Sequence, residues 1–238
     1  MPDRAAIVTG ASRGIGFALA ETLGEEGYAV TISARKPDTL ERAAGQLREK
    51  GFEVEPVVAN LAGEEGVRNV VARHRERYGR LDVLINNAGV GIGSPIADAE
   101  TKKLDMQFDV NLRGVYLTLR ECIPLLKEAA AEHRKALVVN TASIAGVRGQ
   151  GWLAAYSATK AGVIALTEAA HQELSRDGIQ LTAFAPGFVD TPMTDWARER
   201  VSQEEMIRPE DIAEAVRFLL RTSPACIVPE MRFIRPGE

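Results

Sequence analysis

The sequence predicts an α/β fold in which one doubly wound, seven-stranded parallel sheet carries helices on both faces. Short runs of apolar and β-branched residues alternate with longer stretches of helical period along the whole chain. A glycine-rich turn directly follows the first apolar run. No low-complexity linker, internal repeat or change of composition marks a boundary, so residues 1–238 are expected to form a single domain.

Each element follows from its local pattern. The predicted strands are 5–9, 29–34, 53–59, 83–86, 136–141, 180–185 and 231–234. The predicted helices are 14–26, 39–50, 64–78, 101–133, 152–177 and 209–221. Gly27, Gly51 and Gly79 follow the first three helices, at positions where glycine favours the end of a helix. The segment between residues 186 and 207 is the one irregular insertion.

The turn after the first strand reads TGASRGIG and carries Gly10, Gly14 and Gly16. A helix that begins there presents unpaired backbone N–H groups and the positive end of its dipole, which favour a pyrophosphate, and glycine lets that group approach. The spacing G-x-x-x-G-x-G differs from the G-x-G-x-x-G fingerprint. The stretch predicts a Rossmann-type dinucleotide site, although a tight turn without a ligand remains an alternative at this point.

The end of the second strand reads Ser33-Ala34-Arg35-Lys36, where dinucleotide folds usually contact the adenosine ribose. No carboxylate is present to bind a free 2′-hydroxyl, whereas Arg35 and Arg13 are suited to bind a 2′-phosphate. The sequence therefore favours NADP(H) over NAD(H). The alternative is that Arg35 and Lys36 are solvated surface charges.

The helical stretch Tyr156-Ser157-Ala158-Thr159-Lys160 places Tyr156 and Lys160 on one face at i, i+4. A free phenol has a pKa of about 10, and a neighbouring ammonium is expected to lower the pKa of Tyr156 and make it useful for proton transfer. Ser143, after the fifth predicted strand, is placed to hydrogen-bond a substrate carbonyl oxygen. An ordinary pair on an amphipathic helix is the alternative for Tyr-x-x-x-Lys alone.

Together these residues resemble the short-chain dehydrogenase/reductase family over nearly the whole chain. TGASRGIG is similar to its cofactor loop, Asn86-Asn87-Ala88-Gly89 to its NNAG segment, and the segment from Pro186 to Thr191 to the part that contacts the nicotinamide. The resemblance assigns the catalytic residues Asn111, Ser143, Tyr156 and Lys160. It assigns the cofactor-binding residues Gly10, Ser12, Arg13, Gly14, Ile15, Gly16, Arg35, Asn60, Leu61, Asn87, Ala88, Gly89, Tyr156, Lys160, Pro186, Gly187, Val189 and Thr191.

The resemblance implies hydride transfer between a nicotinamide and a carbonyl or secondary alcohol. Tyr156 then donates the proton and Ser143 holds the oxygen. Lys160 lowers the Tyr156 pKa and binds the nicotinamide ribose, while Asn111 is expected to hold a water that exchanges protons with Lys160. No metal site is predicted.

Two features depart from the family pattern. Asn60-Leu61 stands where many members have an Asp near the adenine, and the C-terminus lacks a Gly-Gly ending that is common in 3-oxoacyl-carrier-protein reductases. The open alternatives are such a reductase, a dehydrogenase of small ketones or hydroxy acids, and a non-catalytic NADP-binding regulatory or scaffold protein. Steroid and sugar substrates also remain open.

The substrate is expected to contact the loop after Ser143 and the segment after Pro186. The predicted wall consists of Gly93, Ile144, Gln150, Trp152, Phe188, Met193 and Trp196, which are mostly apolar. Arg148 is more readily explained as surface than as a partner for a substrate carboxylate. The charged segment 190–207 is expected to be a small mobile lid.

Composition narrows the class of partner. The net charge is -4, with acids and bases interleaved, so no nucleic-acid partner is expected. No apolar stretch is long enough for a membrane span or a signal peptide, and a cytoplasmic location is expected. Cys122 and Cys226 are expected to be buried thiols. The apolar and small residues of 115–126 and 158–170 predict an interface in a homotetramer or homodimer.

Overall fold

The computed structural model describes residues 2–199 and 201–237, and all the expected strands are present. They are β1 (Ala5–Thr9), β2 (Ala29–Ala34), β3 (Val54–Val58), β4 (Val83–Asn86), β5 (Ala136–Thr141), β6 (Ile179–Pro186) and β7 (Glu230–Phe233). They form one seven-stranded sheet of order β3-β2-β1-β4-β5-β6-β7, and every neighbouring pair is parallel. The predicted fold class is confirmed, while the single domain over 1–238 stays a prediction.

Helices connect the strands as parallel pairing requires. They are α1 (Gly14–Glu25), α2 (Pro37–Glu49), α3 (Glu64–Tyr78), α4 (Thr101–Phe108), α5 (Gly114–His133), α6 (Ile144–Val147), α7 (Ala154–Leu174) and α8 (Pro209–Arg221). Helix α2 begins two residues before the expected start because Pro37 suits the first turn of a helix. Helix α6 was not expected, since its four residues are too few to show a period.

One predicted helix is interrupted. The stretch 101–133 consists of α4 and α5, joined by a π-helical turn at Asp109–Arg113. A single π turn hardly disturbs the apolar period, so the sequence pattern did not reveal it. The turn contains Asn111, one of the expected catalytic residues.

The sheet separates two apolar layers because successive side chains of a strand point to opposite faces. Ala6 and Val8 of β1 belong to the cluster that includes buried residues of α1, α2 and α8, whereas Ile7 belongs to the cluster with α3, α5 and α7. Five residues of β1 in succession are buried, as expected for a strand covered on both faces.

The strand order positions the site. From β1 the chain proceeds outward to β2 and β3, and it then returns to β4 on the other side of β1. Adjacent connections therefore leave in opposite directions between β1 and β4, and a crevice opens beyond the carboxyl ends of these strands. The glycine-rich turn after β1 and the Asn87-Ala88-Gly89 segment after β4 both lie at this crevice.

The two cysteines differ in burial, and the prediction of a buried thiol is confirmed for one of them. Cys122 is fully buried in the layer with α3 and α7, and burial raises the pKa of its thiol. Cys226 is exposed, so the expectation for it is wrong. Helix α8 ends at Arg221, and the loop up to β7, with Pro224 and Pro229, lies at the surface.

Within the described residues, no helix is long and apolar enough to cross a bilayer.

Candidate active site

The turn between β1 and α1 requires glycine at all three positions. Gly10 and Gly14 have φ values of +67° and +57°, in the left-handed region that disfavours residues with a Cβ. A Cβ on Gly16 would lie 2.4 Å from the carbonyl oxygen of Gly10. The N-cap residue Arg13 makes no side-chain cap hydrogen bond, so no side chain caps the first N–H groups of α1. Close packing and open N–H groups thus occur together at this turn.

A hydrogen-bonded clip holds the turn against β4. The backbone N–H groups of Asn87 and Ala88 donate to the Thr9 hydroxyl oxygen at 3.0 and 3.1 Å. The Asn87 side-chain amide donates to the carbonyl oxygens of Thr9 and Gly10 at 3.2 and 3.3 Å. Asn87, expected to bind cofactor, thus lines the crevice but uses its amide to position the glycine turn. Thr9 was missed because its part depends on a partner 78 residues away.

The crevice encloses a cavity of about 270 Å³. Its lining consists of Gly10, Ser12, Arg13, Gly14, Ile15, Gly16, Ser33, Ala34, Arg35, Lys36, Thr39, Ala59, Asn60, Leu61, Asn87, Ala88, Gly89, Val90, Val110, Thr191, Pro192 and Met193. No carboxylate is among these residues, whereas Arg13, Arg35 and Lys36 are exposed and form no ion pair with another described residue. The cavity therefore favours an anion.

Two features of this cavity fit a dinucleotide. The buried hydroxyl of Ser33, near the end of β2, has no hydrogen-bond partner among the described residues, although buried polar groups are normally paired. At the other end, the glycine turn lines the cavity, and the first N–H groups of α1 have no side-chain cap from Arg13. A ribose and a pyrophosphate supply the matching groups at these two places.

Most of the expected cofactor residues line this cavity, and five do not. Tyr156 and Gly187 line the neighbouring cavity described below, whereas Lys160, Pro186 and Val189 line neither cavity. Lys160 is 3% exposed and lies beneath Gly89, with Nζ 3.5 Å from the position of a Cβ there. Ser33, Thr39 and Val110 line the cavity but were not expected. Ser33 had a usable signal, as a polar residue at the carboxyl end of a strand.

Ser143, Tyr156 and Lys160 converge from two elements. Ser143 caps α6, and its hydroxyl oxygen accepts from the Ala145 N–H at 3.2 Å and hydrogen-bonds with Tyr156. Lys160 Nζ donates to the Thr141 carbonyl oxygen at 2.6 Å and lies 5.7 Å from the centroid of the Tyr156 ring. One turn of α7 therefore places the phenol and the ammonium together, as the i, i+4 spacing predicted.

The pKa shifts correct one expectation. Burial raises the pKa of Tyr156, and its hydrogen bond with Ser143 acts in the opposite direction. The expected net lowering is wrong, because the loss of hydration of the phenolate outweighs the favourable interactions. Burial also lowers the pKa of Lys160 from its ordinary value of 10.5 to about 8. Burial therefore disfavours the charged form of both side chains, and the pKa of Lys160 lies close to neutral pH.

Asn111 lies in the π turn and is fully buried. Its side-chain oxygen accepts from the Val90 N–H at 2.8 Å, and its amide donates to the Val90 carbonyl oxygen at 2.9 Å and to the Thr159 hydroxyl at 3.2 Å. These bonds fasten the loop after β4 to the helix that carries Tyr156 and Lys160. The expected role in holding a water stays a prediction.

A second, smaller cavity of about 100 Å³ adjoins the first at Met193, which lines both. Its lining consists of Gly91, Gly93, Ser143, Ile144, Ala145, Gln150, Trp152, Leu153, Tyr156, Gly187, Phe188, Met193, Thr194 and Trp196. All seven residues expected in the substrate wall are included, and Arg148 is not. Ser143 and Tyr156 are the expected catalytic residues whose side chains reach this cavity.

The segment 190–207, expected to be a lid, has its own packing. Val189 and Ile207 form a parallel bridge at its base, and Ala197, Val201 and Met206 form a small buried cluster. The Arg198 guanidinium pairs with the carboxylates of Asp190 and Asp195 at 3.0 and 2.9 Å. Arg198 therefore pairs with two acids of the same segment at its surface, and the mobility of the segment stays a prediction.

Comparison with known proteins agrees with this architecture. A family model described as short chain dehydrogenase matches residues 4–202. An uncharacterized oxidoreductase of Staphylococcus aureus strain N315 is 35% identical over 99% of this chain and 98% of its own. The chain belongs to the short-chain dehydrogenase family, and it is an oxidoreductase of that family.

Two solved structures are similar over nearly their whole length. A variant of actinorhodin polyketide ketoreductase with NADPH has a TM-score of 0.87 and 33% identity, covering 96% of this chain and 95% of that one. A 3-ketoacyl-(acyl-carrier-protein) reductase from Brucella melitensis complexed with NADH has a TM-score of 0.88 and 30% identity, covering 99% and 98%. Members of this family bind a nicotinamide cofactor and act on small molecules, and these two relatives hold different forms of that cofactor.

Proposed function

We propose that this protein is an NADP(H)-dependent oxidoreductase of the EC 1.1.1 type, which interconverts a small-molecule carbonyl and a secondary alcohol. The observation that carries the proposal is the position of the Tyr156 phenol. It lines the smaller cavity, hydrogen-bonds with Ser143 and lies beside Lys160, while the larger cavity begins at Met193. A carbonyl in the smaller cavity is then within reach of a proton donor and of the cofactor crevice.

The bound nicotinamide supplies or accepts the hydride. In the direction of reduction, Tyr156 donates its proton to the carbonyl oxygen, and the Ser143 hydroxyl hydrogen-bonds to the same oxygen and orients it. A raised Tyr156 pKa keeps the phenol protonated at neutral pH, which suits a proton donor. When the proton leaves, the Lys160 ammonium stabilises the phenolate by charge attraction.

Lys160 has a second part in the proposal. Its Nζ lies beneath Gly89 and donates to the Thr141 carbonyl oxygen, between Tyr156 and the cofactor crevice. From this position it is placed to bind the ribose hydroxyls near the nicotinamide. A pKa of about 8 also allows it to return a proton to Tyr156 at neutral pH. Asn111 holds the adjoining loop in place through Val90.

The preference for NADP(H) rests on the charges at the end of β2. Arg35 and Lys36 line the crevice beside Ala34, and no carboxylate lines it. An acid at this place would bind a free 2′-hydroxyl and repel a 2′-phosphate, whereas guanidinium binds phosphate well. One relative holds NADPH, which supports this assignment, and another relative holds NADH.

The experiment follows NADPH oxidation with a panel of diketones, oxoesters and quinones, in parallel with NADPH binding by calorimetry. We expect tight binding and turnover of at least one carbonyl class. Tight binding with no turnover of any member would instead support a non-catalytic NADP-binding protein, and absence of both would reject the proposed function altogether.

A further inference from the structure

We propose, on the basis of the proposed function, that the substrate is an uncharged ketone or aldehyde whose carbonyl is attached to a single aromatic ring. The smaller cavity next to Tyr156 carries the argument. Its two indoles and one phenyl ring, from Trp152, Trp196 and Phe188, form an aromatic wall, and no charged side chain lines it. The aromatic wall favours a substrate with a ring, and the absence of a charged side chain disfavours a charged substrate.

The aromatic wall is continuous. The ring centroids of Trp152 and Trp196 lie 5.4 Å apart at 58°, and those of Phe188 and Trp196 lie 5.9 Å apart at 68°. Such tilted arrangements are favourable between aromatic rings because the edge of one meets the face of the next. Trp152 and Trp196 are nevertheless 47% and 46% exposed, so much of their surface remains available to a further ring.

The backbone at Trp152 is held in an uncommon conformation. Its φ is +68°, which is unfavourable for a bulky residue and persists when the surroundings enforce it. The Trp152 carbonyl oxygen accepts from the Ser94 N–H at 2.8 Å, and the indole lies over Gly93, where a Cβ would be 2.3 Å from the ring. A glycine thus makes room for this indole, and strain is retained to keep it at the cavity.

The side chains that line the cavity disfavour an acidic substrate. The polar side chains that reach the cavity are those of Ser143, Gln150, Tyr156 and Thr194, and all are uncharged in their ordinary form. A carboxylate beside the reacting carbonyl would lose its hydration without gaining a cation, which is strongly unfavourable. Arg198 is already paired with Asp190 and Asp195, and Arg148 does not line the cavity. This disfavours oxo acids and hydroxy acids.

The volume of the smaller cavity limits the number of rings that the substrate can have there. The cavity measures about 100 Å³, whereas an apolar cavity of about 150 Å³ holds one benzene molecule. The cavity is smaller than that, so one ring fills it completely and must extend toward the exposed faces of the indoles. A fused polycyclic substrate such as a steroid does not fit between Tyr156 and the aromatic wall.

The test compares acetophenone with cyclohexyl methyl ketone, which has nearly the same shape but no π system. We measure the ratio of their kcat/KM values in the parent protein, in Trp196→Leu and in Trp152→Leu. Loss of one aromatic contact should lower the ratio roughly 2- to 10-fold in each variant. Phe218→Leu, which removes an exposed ring on α8 outside this cavity, is the matched control and should leave the ratio unchanged.

Phenylglyoxylate, which keeps the ring and adds a carboxylate beside the carbonyl, tests the charge argument. We expect its kcat/KM to be at least about tenfold below that of acetophenone. Equal or better turnover of phenylglyoxylate would overturn the uncharged part of the inference. An acetophenone ratio that stays within twofold of the parent in both tryptophan variants would overturn the aromatic part.

A binding measurement distinguishes a failure of this inference from a failure of the proposed function. The chain has two tryptophans, and both line the smaller cavity, so intrinsic tryptophan fluorescence reports on this site alone. Dissociation constants are measured in the presence of saturating oxidised cofactor. If no carbonyl is turned over, the proposed function fails, yet tighter binding of acetophenone than of its cyclohexyl analogue still supports the aromatic site. Equal affinities would reject the inference in either case.

Discussion

At the scale of single residues, Tyr156 combines burial, a hydrogen bond with Ser143 and a nearby ammonium. Tyr156→Phe removes the proton donor and keeps the ring, so kcat should fall at least about 100-fold while NADPH affinity changes little. Tyr116→Phe, at an exposed position on α5, is the matched control and should retain full activity. A folded Tyr156→Phe variant that works at nearly the parent rate would contradict the assigned role.

Lys160 gives a prediction on the pH dependence of stability. Its pKa falls from 10.5 in the unfolded chain to about 8 on burial, so the unfolded state binds more protons between these values. The free energy of unfolding contributed by Lys160 therefore rises with pH from about 8 to 10.5, by roughly 3 kcal/mol in total. Below pH 8 it is constant.

The measurement is urea unfolding of the parent and of Lys160→Met across this pH window, without cofactor. The free energy of unfolding of the parent, minus that of Lys160→Met, should increase as pH rises. A difference that is flat, or that moves toward the variant, would show that burial does not lower the pKa of Lys160 in the folded protein.

Arg35 and Ala34 give a prediction on cofactor choice. Arg35→Ala should weaken NADPH binding about 10- to 100-fold, because a hydrogen bond to a charged group contributes roughly 1.5–3 kcal/mol, and should affect NADH little. Adding Ala34→Asp should then strengthen NADH binding. Arg42→Ala on the exposed face of α2 controls for general loss of positive charge. Tighter binding of NADH than of NADPH by the parent protein would refute the assignment.

At the scale of elements, the turn into α1 depends on the absence of a side chain. Gly16→Ala places a Cβ 2.4 Å from the Gly10 carbonyl oxygen and 2.5 Å from the Asn87 amide nitrogen, so the clip between β1 and β4 must move. We expect a loss of about 1–3 kcal/mol in the free energy of unfolding and a marked loss of cofactor affinity.

The matched control is Gly45→Ala in the interior of α2, where a Cβ meets nothing within 4 Å. Alanine loses less backbone entropy than glycine in a helix, so this variant should gain about 0.5–1 kcal/mol and bind cofactor normally. Thermal unfolding and NADPH titration of the two variants check both expectations. Equal behaviour of the two variants would show that the contact at Gly16 is not restrictive.

The helix that carries Asn111 shows why some site features escape a sequence pattern. The apolar period correctly predicted a helical stretch from residue 101 to 133, because that period is a local property. The π turn at Asp109–Arg113 became visible only through the bonds that join Asn111 to Val90 and Thr159. Its partners lie 21 and 48 residues away, beyond the reach of any local pattern.

At the scale of the whole molecule, the exposed face of α7 bears on the expected homotetramer or homodimer. Most apolar residues of 115–126 are buried inside the subunit, and Tyr116 remains 54% exposed. On α7, Ala158, Ala161, Ala165 and Ala169 form an exposed stripe of small residues at helical spacing. This stripe would permit close approach of a second helix, so we expect the interface to centre on α7 rather than on 115–126.

Light scattering at micromolar concentration should give two or four times the chain mass of 25.8 kDa. Ala165→Arg places a charge in the stripe and should reduce the assembly, while Ala72→Arg on the exposed face of α3 is the control and should not. A parent protein of 25.8 kDa in solution would contradict the expected assembly.

The sequence by itself determined the seven strands and their places along the chain, the glycine turn and most of the residues around the two cavities. Periodicity and turn chemistry are local, and the carboxyl ends of parallel strands meet at one edge of the sheet, so motifs after β1, β4, β5 and β6 had to converge. For this reason all seven residues expected in the substrate wall line one cavity.

Only the tertiary structure decided how these residues are used. The net pKa shift of Tyr156, the use of the Asn87 amide as a clip, the left-handed backbone at Trp152 and the exposure of Cys226 all differ from, or go beyond, the sequence expectation. Each depends on burial or on partners distant in the chain. Hydration and long-range hydrogen bonds are set when the layers pack together, and no local pattern records them.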